Sequence, residues 1–166
     1  MTQARHPGVQ FAALLLFWVL LNGSLASDVL IVGVIAAAAI TLLLPGAIPF
    51  FGQFRAGDPR AWAAAVGYFT FFFTELVKCN LRIAAVVLAP SLPVSPGIVK
   101  VRTKLRSPMG RLLLANSITL TPGTLTVEMD GEWFYIHWVT VESPDIDKAT
   151  SDIVAGFERY LEVMYG

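Results

Sequence analysis

Residues 114–138 read LANSITLTPGTLTVEMDGEWFYIHW, and this stretch decides the fold of the C-terminal half of the chain. Thr121-Pro122-Gly123 interrupts a helical run, because proline and glycine do not continue a helix. Residues 124–129 then alternate, Asp130-Gly131 is a strong hairpin turn signal, and residues 132–141 are rich in aromatic and β-branched side chains. The stretch therefore predicts the end of a helix followed by a β-hairpin.

The sequence around this stretch completes a small domain. Residues 97–105 alternate apolar side chains with Lys100, Arg102 and Lys104, which is typical of a strand. Ser107-Pro108 favours a helix start, and that helix should end near Ser117 or Leu120. Asp145 or Asp147 can cap a last amphipathic helix, whose apolar face would comprise Ile153, Phe157, Leu161 and Met164.

The predicted order is strand, helix, strand, strand, helix. This order indicates a small α+β domain over residues 91–166, with its helices on one face of a short sheet. The stretch Pro90-Ser91-Leu92-Pro93 forms a stiff, non-helical connector before the domain.

The preceding residues, 1–90, have the composition of a membrane protein. Of the 166 residues, 55% are hydrophobic and 14% are charged, against about 25% charged in a typical soluble domain. Between Val9 and Phe54, Asp28 is the only charged residue. The formal net charge of zero gives no reason to expect a nucleic-acid partner.

Two apolar segments, at about residues 9–22 and 29–44, predict a helical hairpin in a bilayer. Asn22-Gly23-Ser24 is the turn between them, and Pro45-Gly46 ends the second. Both segments are shorter than the roughly 20 residues that usually cross a bilayer core, so flanking residues or a locally thin bilayer must help. Gly33 and Ala37 in the second segment would allow a close helix contact, although small residues are common in bilayer helices of every kind.

A third helix is predicted at about residues 61–89. It begins with apolar and aromatic side chains and then carries Glu75, Lys78, Asn80 and Arg82. Spacings of three and four place Glu75, Lys78 and Arg82 along one side of the helix. The segment either crosses the bilayer or lies along its interface, with aromatic side chains in lipid and the charged stripe in water.

The distribution of basic residues favours a cytoplasmic C-terminal domain. A two-span hairpin with an interfacial third helix puts eight basic residues on the cytoplasmic side: Arg5, Arg55, Arg60, Lys100, Arg102, Lys104, Arg106 and Arg111. No arrangement with three membrane spans places all eight on the cytoplasmic side. The three-span arrangement with an external amino terminus nevertheless keeps the C-terminal domain cytoplasmic. We therefore expect a multi-pass protein of the cytoplasmic membrane.

Several motifs resemble those of one family, the E subunit of Mrp-type (Mnh/Pha) multisubunit cation/proton antiporters. The similar stretches are Glu75-Leu76-Val77-Lys78-Cys79-Asn80-Leu81-Arg82, Pro96-Gly97-Ile98-Val99, residues 114–125 and Phe134-Tyr135-Ile136-His137-Trp138. The similarity extends from about Val9 to Met164. It implies one subunit of a large complex that exchanges Na⁺ or another monovalent cation for protons, with larger subunits related to those of respiratory complex I moving the ions.

The resemblance implies an accessory or assembly role, with large complex I-like subunits, small membrane subunits and membrane lipid as partners. The two apolar segments agree with this role, because they contain no acidic, lysine or histidine residue. A conducting subunit normally buries such residues in mid-membrane. The alternative is a membrane-tethered regulatory or binding domain that acts outside any antiporter. Genes for large antiporter subunits beside this one would favour the first hypothesis.

Glu75, Lys78, Asn80 and Arg82 are the candidate site residues, either for docking other subunits or for an ion path. An ionisable residue in a membrane helix is a functional candidate, but an i,i+3 ion pair near a helix end can instead extend to water and dock a neighbour. His137 could sense pH or be an ordinary surface or hydrogen-bonded histidine. We find no motif for a nucleophile with its base, a metal or a cofactor, so we expect a transporter subunit rather than an enzyme.

Two interpretations apply to the basic residues of the predicted first strand, Lys100, Arg102 and Lys104, and to the nearby Arg106 and Arg111. They could contact anionic lipid headgroups, each charge contributing about 1 kcal/mol near such a surface. They could also form the solvated face of an edge strand, where lysine discourages aggregation. Both can hold together.

Overall fold

A computed structural model describes residues 7–44, 53–91 and 93–166 of the chain. The chain divides into two compact units between Phe54 and Arg55. The first contains helices α1 (Pro7–Asn22) and α2 (Ser27–Leu43). The second contains these elements: α3 (Pro59–Leu88), β1 (Gly97–Arg102), α4 (Pro108–Leu120), β2 (Thr124–Asp130), β3 (Trp133–Trp138), α5 (Ile146–Ile153) and α6 (Ala155–Tyr165).

The first unit is the helical hairpin that the two apolar segments predict. Gly23 has a φ of 60° at the turn, a conformation that glycine adopts without strain. Gly33 faces Trp18 so closely that an added Cβ would lie 2.5 Å from the indole Cδ1. The indole N–H of Trp18 donates to the Val29 carbonyl oxygen at 2.9 Å, which ties α1 to α2. The close contact that Gly33 permits is therefore made within the hairpin.

Many large apolar side chains of α1 and α2 are exposed on the outer surface of the hairpin. Large side chains with more than half of their surface exposed include Leu16, Phe17, Leu20, Leu21, Ile31, Ile35, Leu42 and Leu43. Within the described ranges, no helix is both long enough and apolar enough to cross a membrane. Arg5, the Pro45-Gly46 pair and Leu92 lie outside the described residues.

The second unit contains the predicted α+β architecture and the long helix α3. Its three strands form an antiparallel sheet in the order β1-β3-β2. Asp58 begins α3 by accepting a hydrogen bond from the Arg60 N–H at 2.8 Å, and Ser107 begins α4 by accepting from the Gly110 N–H at 3.2 Å. Proline follows both caps, which is a favourable first position of a helix.

The core lies between one face of the sheet and the helices. Phe134, Ile136 and Trp138 of β3 are buried, whereas the alternate residues of that strand are only partly covered. Leu114, Ile118 and Leu161 from α4 and α6 complete the fully buried centre. The helices therefore cover one face of the sheet, as the sequence predicts.

Three predicted boundaries are wrong. The first strand ends at Arg102 rather than Leu105, because the Thr103 side chain and the Lys104 N–H bond to Glu158 and draw the backbone out of the sheet. The third strand spans Trp133–Trp138 rather than residues 132–141, since Val139 and Val141 donate instead to the carbonyls of Gly123 and Ser95.

The third error is the predicted single C-terminal helix, which is two helices, α5 and α6, separated at Val154. Val154 has a φ of −100°, outside the usual helical range, and its side chain is fully buried. Asp145 is the N-cap, accepting from the Lys148 N–H at 2.8 Å. Ile153, Phe157, Leu161 and Met164 are buried, so the predicted apolar face is confirmed despite the interruption.

Candidate functional site

The first half of α3 is fixed against α6 by aromatic side chains. The Phe71 and Phe157 rings meet edge to face with centroids 5.1 Å apart, and Phe71 lies 5.9 Å from the Tyr160 ring. Gly156 makes this approach possible, because an added Cβ would lie 2.3 Å from Phe71 Cζ. The Arg159 guanidinium lies 5.1 Å from the centroid of the Phe71 ring and covers the contact.

The second half of α3 borders a cleft of about 410 Å³, here called the α3 cleft. Its other walls come from the Thr121–Thr124 turn, the end of β3 and the two C-terminal helices. Its charged side chains are Glu75, Arg82, Glu142 and Asp152, and its apolar side chains include Phe71, Ile83, Trp138 and Ile153. The cleft therefore combines a partly apolar floor with charges of both signs.

The four candidate residues divide between the α3 cleft and the open surface. Glu75 and Arg82 line the cleft. Lys78 lies outside the lining and pairs with Glu75, with Nζ 2.8 Å from Oε1. Asn80, also outside, donates its side-chain N–H to the Leu76 carbonyl oxygen at 2.7 Å. The predicted stripe of Glu75, Lys78 and Arg82 is thus present, but it continues beyond the cleft.

Three of the four side chains in the ion pairs of this stripe are more than half exposed. The Lys78 side chain is 60% exposed and that of Glu75 is 27% exposed. Arg82 Nη1 lies 3.5 Å from Glu142 Oε1, and both side chains are more than half exposed. Such pairs contribute about 1 kcal/mol or less to stability, so their contribution to the fold is small.

The Thr121-Pro122-Gly123-Thr124 turn is built by its own hydroxyl groups. The hydroxyls of Thr121 and Thr124 both donate to the Ile118 carbonyl oxygen, at 2.8 and 2.6 Å. Gly123 has a φ of 101°, and a Cβ there would lie 3.3 Å from Ile83 Cδ1. The predicted stop of the helix at Thr121-Pro122-Gly123 is therefore confirmed, and the turn also lets α3 approach the sheet.

The sequence alone does not predict the contacts or the burial of three polar side chains. Glu142 is the partner of Arg82, but 60 residues separate them, so no spacing rule connects them. The Thr140 hydroxyl, at the edge of the α3 cleft, is buried without a hydrogen-bond partner among the described residues. Glu158, an ordinary polar position by helical periodicity, is buried and accepts from the Thr103 hydroxyl and the Lys104 N–H.

His137 lies on the sheet face that the helices do not cover. Its strand neighbours Ile136 and Trp138 are buried on the other face, as predicted. Ile98 and Leu125 lie opposite His137 on the two adjacent strands, and both are exposed. In the part of the chain that is described, no group of three histidine, cysteine, aspartate or glutamate side chains could hold a metal ion.

Comparison with known families gives the context for this geometry. The family model for Na⁺/H⁺ ion antiporter subunits, MNHE, matches residues 11–164. The chain belongs to this family. The match begins within α1 and includes α2, α3 and nearly all of the α+β domain, so the resemblance inferred from the sequence motifs is confirmed.

Individual relatives agree with the assignment. The E subunit of the Na⁺/H⁺ antiporter of Alkalihalophilus pseudofirmus is 34% identical over 144 residues, which cover 86% of this chain and 87% of the relative. The corresponding E1 subunit of Staphylococcus haemolyticus is 32% identical over 126 residues, covering 72% and 74%. This membership identifies a component of a transport complex rather than a conventional enzyme.

A solved structure has the same fold over nearly the whole chain. It is a chain of the membrane-bound sulfane sulfur reductase, an archaeal respiratory membrane complex. It superposes with a TM-score of 0.82 and 33% sequence identity, and the alignment covers 95% of this chain and 97% of that one. The fold described here is therefore also that of a chain in a larger complex.

Proposed function

We propose that the chain is an accessory subunit of a multisubunit monovalent cation/proton antiporter, needed for assembly or stability of the complex rather than for conducting ions. The observation that carries this proposal is the exposure of the Arg82–Glu142 pair and of Lys78, the partner of the partly buried Glu75. A conducting path in a membrane needs ionisable groups that face a protein interior or a water-filled cavity. Exposed paired charges suit contact with neighbouring subunits better.

The partners proposed are the large complex I-like subunits, the small membrane subunits and membrane lipid. The similarity to a chain of an archaeal respiratory membrane complex supports a place in such an assembly. The exposed apolar surface of the α1–α2 hairpin supports it too, because a patch of that kind marks a contact with protein or lipid.

The distribution of side chains on α3 favours an interfacial position for this helix. One face carries exposed apolar side chains at spacings of three and four, namely Trp62, Val66, Phe69, Phe73, Val77 and Leu81. The opposite side packs on α6 through Phe71 and carries Glu75, Lys78 and Arg82. A helix with a polar domain along one side and an apolar stripe along the other suits a membrane surface better than a bilayer core.

In the proposed topology the α1–α2 hairpin inserts into the cytoplasmic membrane and the α+β domain is cytoplasmic. The hairpin helices have 16 and 17 residues, about 24 to 26 Å of helix. This is a few ångströms short of a typical hydrocarbon core, so the bilayer beside neighbouring subunits has to thin locally. The boundary between membrane and cytoplasmic parts falls near residue 90, after α3.

A pull-down from native membranes tests the assembly. A tagged copy is extracted in mild detergent, the co-purifying proteins are identified by mass spectrometry, and Na⁺/H⁺ exchange is measured in vesicles from a deletion strain. We expect large antiporter subunits to co-purify and exchange to be lost on deletion. Recovery of the chain alone, with exchange unchanged, would contradict the proposal.

Variants of the charged stripe distinguish docking from conduction. Glu75→Gln and Arg82→Gln are introduced into the complemented deletion strain, with Glu162→Gln, an exposed residue of α6, as the matched control. If the residues dock α3 to a neighbour, exchange falls in proportion to the amount of assembled complex. If exchange per assembled complex falls instead, the residues belong to an ion path and the accessory role is wrong.

A further inference from the structure

A second pocket, at the end of the sheet where β1 leaves it, is strongly basic. It has a volume of about 420 Å³, and its lining includes Arg102, Lys104, Arg106, Arg111 and Glu132. This basic pocket thus places four cations around one carboxylate. Its size is within the range of small-molecule sites, about 300 to 1,000 Å³.

The carboxylates near the basic pocket leave most of its positive charge uncompensated. Glu132 pairs with Arg102, with its Oε2 3.3 Å from the Arg102 Nε. Glu158, behind the pocket wall, accepts from the Thr103 hydroxyl and from the Lys104 backbone N–H rather than from a cation. Across the described residues, the side chains of Lys104, Arg106 and Arg111 form no salt bridge.

Arg111 is positioned but incompletely hydrogen-bonded. Its guanidinium lies 5.5 Å from the centroid of the buried Phe134 ring, so the side chain is held by the domain core. Its Nε is buried and has no hydrogen-bond partner among the described residues. A guanidinium has five N–H donors in a planar array that matches the oxygens of a phosphate group.

Arg111 also lies in the first turn of α4, a helix of 13 residues whose N-terminal end is positive because of its aligned peptide dipoles. This positive end adds to the attraction of the four basic side chains for an anion. The pocket wall formed by Gly131 adds no side chain that would obstruct an oxyanion.

We propose that the basic pocket binds a phosphate group, carried either by an anionic lipid headgroup or by a soluble phosphate compound. Lys104 and Arg106 supply exposed positive charge, and Arg111 adds a guanidinium with several N–H donors to the lining. This ligand site is separate from the α3 cleft and from any transported cation. It gives the α+β domain a recognition role of its own.

The experiment uses the full-length chain in detergent micelles. Inorganic pyrophosphate is titrated by isothermal calorimetry, and retention of phosphatidylglycerol is compared with that of phosphatidylcholine by native mass spectrometry. Both measurements are repeated on Lys104→Gln/Arg106→Gln, whose replaced side chains are exposed, and on Arg111→Gln. The matched control is Arg60→Gln/Lys148→Gln, which removes the same charge from exposed positions elsewhere.

We expect the Lys104→Gln/Arg106→Gln variant to bind roughly tenfold to thirtyfold more weakly, and the control variant to bind like the unchanged chain. Preferential retention of phosphatidylglycerol identifies a lipid source, and calorimetric binding of pyrophosphate without lipid preference identifies a soluble one. The proposal is overturned if neither probe binds, or if the Lys104/Arg106 and Arg111 variants bind as tightly as the control.

Discussion

The contact between Phe71 of α3 and Phe157 of α6 should provide a measurable part of the stability of the second unit. Phe157 is 5% exposed, so Phe157→Ala removes a buried ring and leaves a cavity, a change that costs about 3 to 5 kcal/mol. Phe71 is only partly buried, and Phe71→Ala should cost about 1 to 2 kcal/mol. The edge-to-face contact at 5.1 Å should make the two losses non-additive by about 1 kcal/mol.

The assay is a double-mutant cycle on the full chain in a non-ionic detergent, with urea unfolding followed by near-ultraviolet circular dichroism. A parallel cycle pairs Phe157 with Phe73, which lies on the exposed apolar stripe of α3 and makes no ring contact with Phe157 among the described residues. We expect a coupling free energy for Phe71 and Phe157 only. If both cycles are additive within about 0.4 kcal/mol, the Phe71–Phe157 contact does not hold α3 on α6, and one support for an interfacial α3 is lost.

Three further predictions test other parts of the chain. Glu158→Ala should lower the free energy of unfolding by about 2 to 4 kcal/mol in the same assay, because the Thr103 hydroxyl and the Lys104 N–H lose their acceptor. Glu158→Gln keeps a side-chain acceptor and should cost clearly less. Equal losses for the two variants would contradict this assignment. Burial raises the pKa of Tyr165, so this hydroxyl ionises at a lower pH in the unfolded chain than in the folded one. The stability should therefore fall as the pH rises past the ordinary tyrosine pKa of about 10. A Tyr165→Phe variant that shows the same loss would exclude Tyr165 as its cause. Gly33→Ala should destabilise the hairpin by about 1 to 3 kcal/mol, since the new methyl group meets the Trp18 ring. Gly8→Ala, which has open space around it, should not destabilise it. Equal midpoints of thermal unfolding for the two variants would refute the close contact.

Local signals were enough to predict most of the elements. The caps Asp145 and Ser107, the Asp130-Gly131 turn and the Thr121–Thr124 stop are short-range features, and the corresponding boundaries agree closely with the structure. Apolar periodicity correctly identified the buried face of the last helical segment. These features need no information about distant residues, because each is decided by hydrogen bonds or side chains within one or two turns.

The candidate site could be predicted only in part. Helical spacing placed Glu75, Lys78 and Arg82 on one side of α3, but it gave no information about what lies opposite. Glu142 and Asp152 enter the α3 cleft from distant segments, and Glu142 is 60 residues from the Arg82 with which it pairs. The exposure of the ion pairs, which favours docking, follows from the packing of α3 on the domain and not from the order of residues along the chain.

The sequence by itself determined the hairpin, the long amphipathic helix, the α+β order and the family, because periodicity, caps and turns are local and the family motifs are linear. Only the tertiary structure decided where the first strand ends, why the last helix divides at Val154 and how four cations gather in the basic pocket. Those features depend on distant parts of the chain, such as the contact of Glu158 with the backbone after β1 and the full burial of Val154. Their energies come from burial and from hydrogen-bond satisfaction, which exist only once distant segments have met.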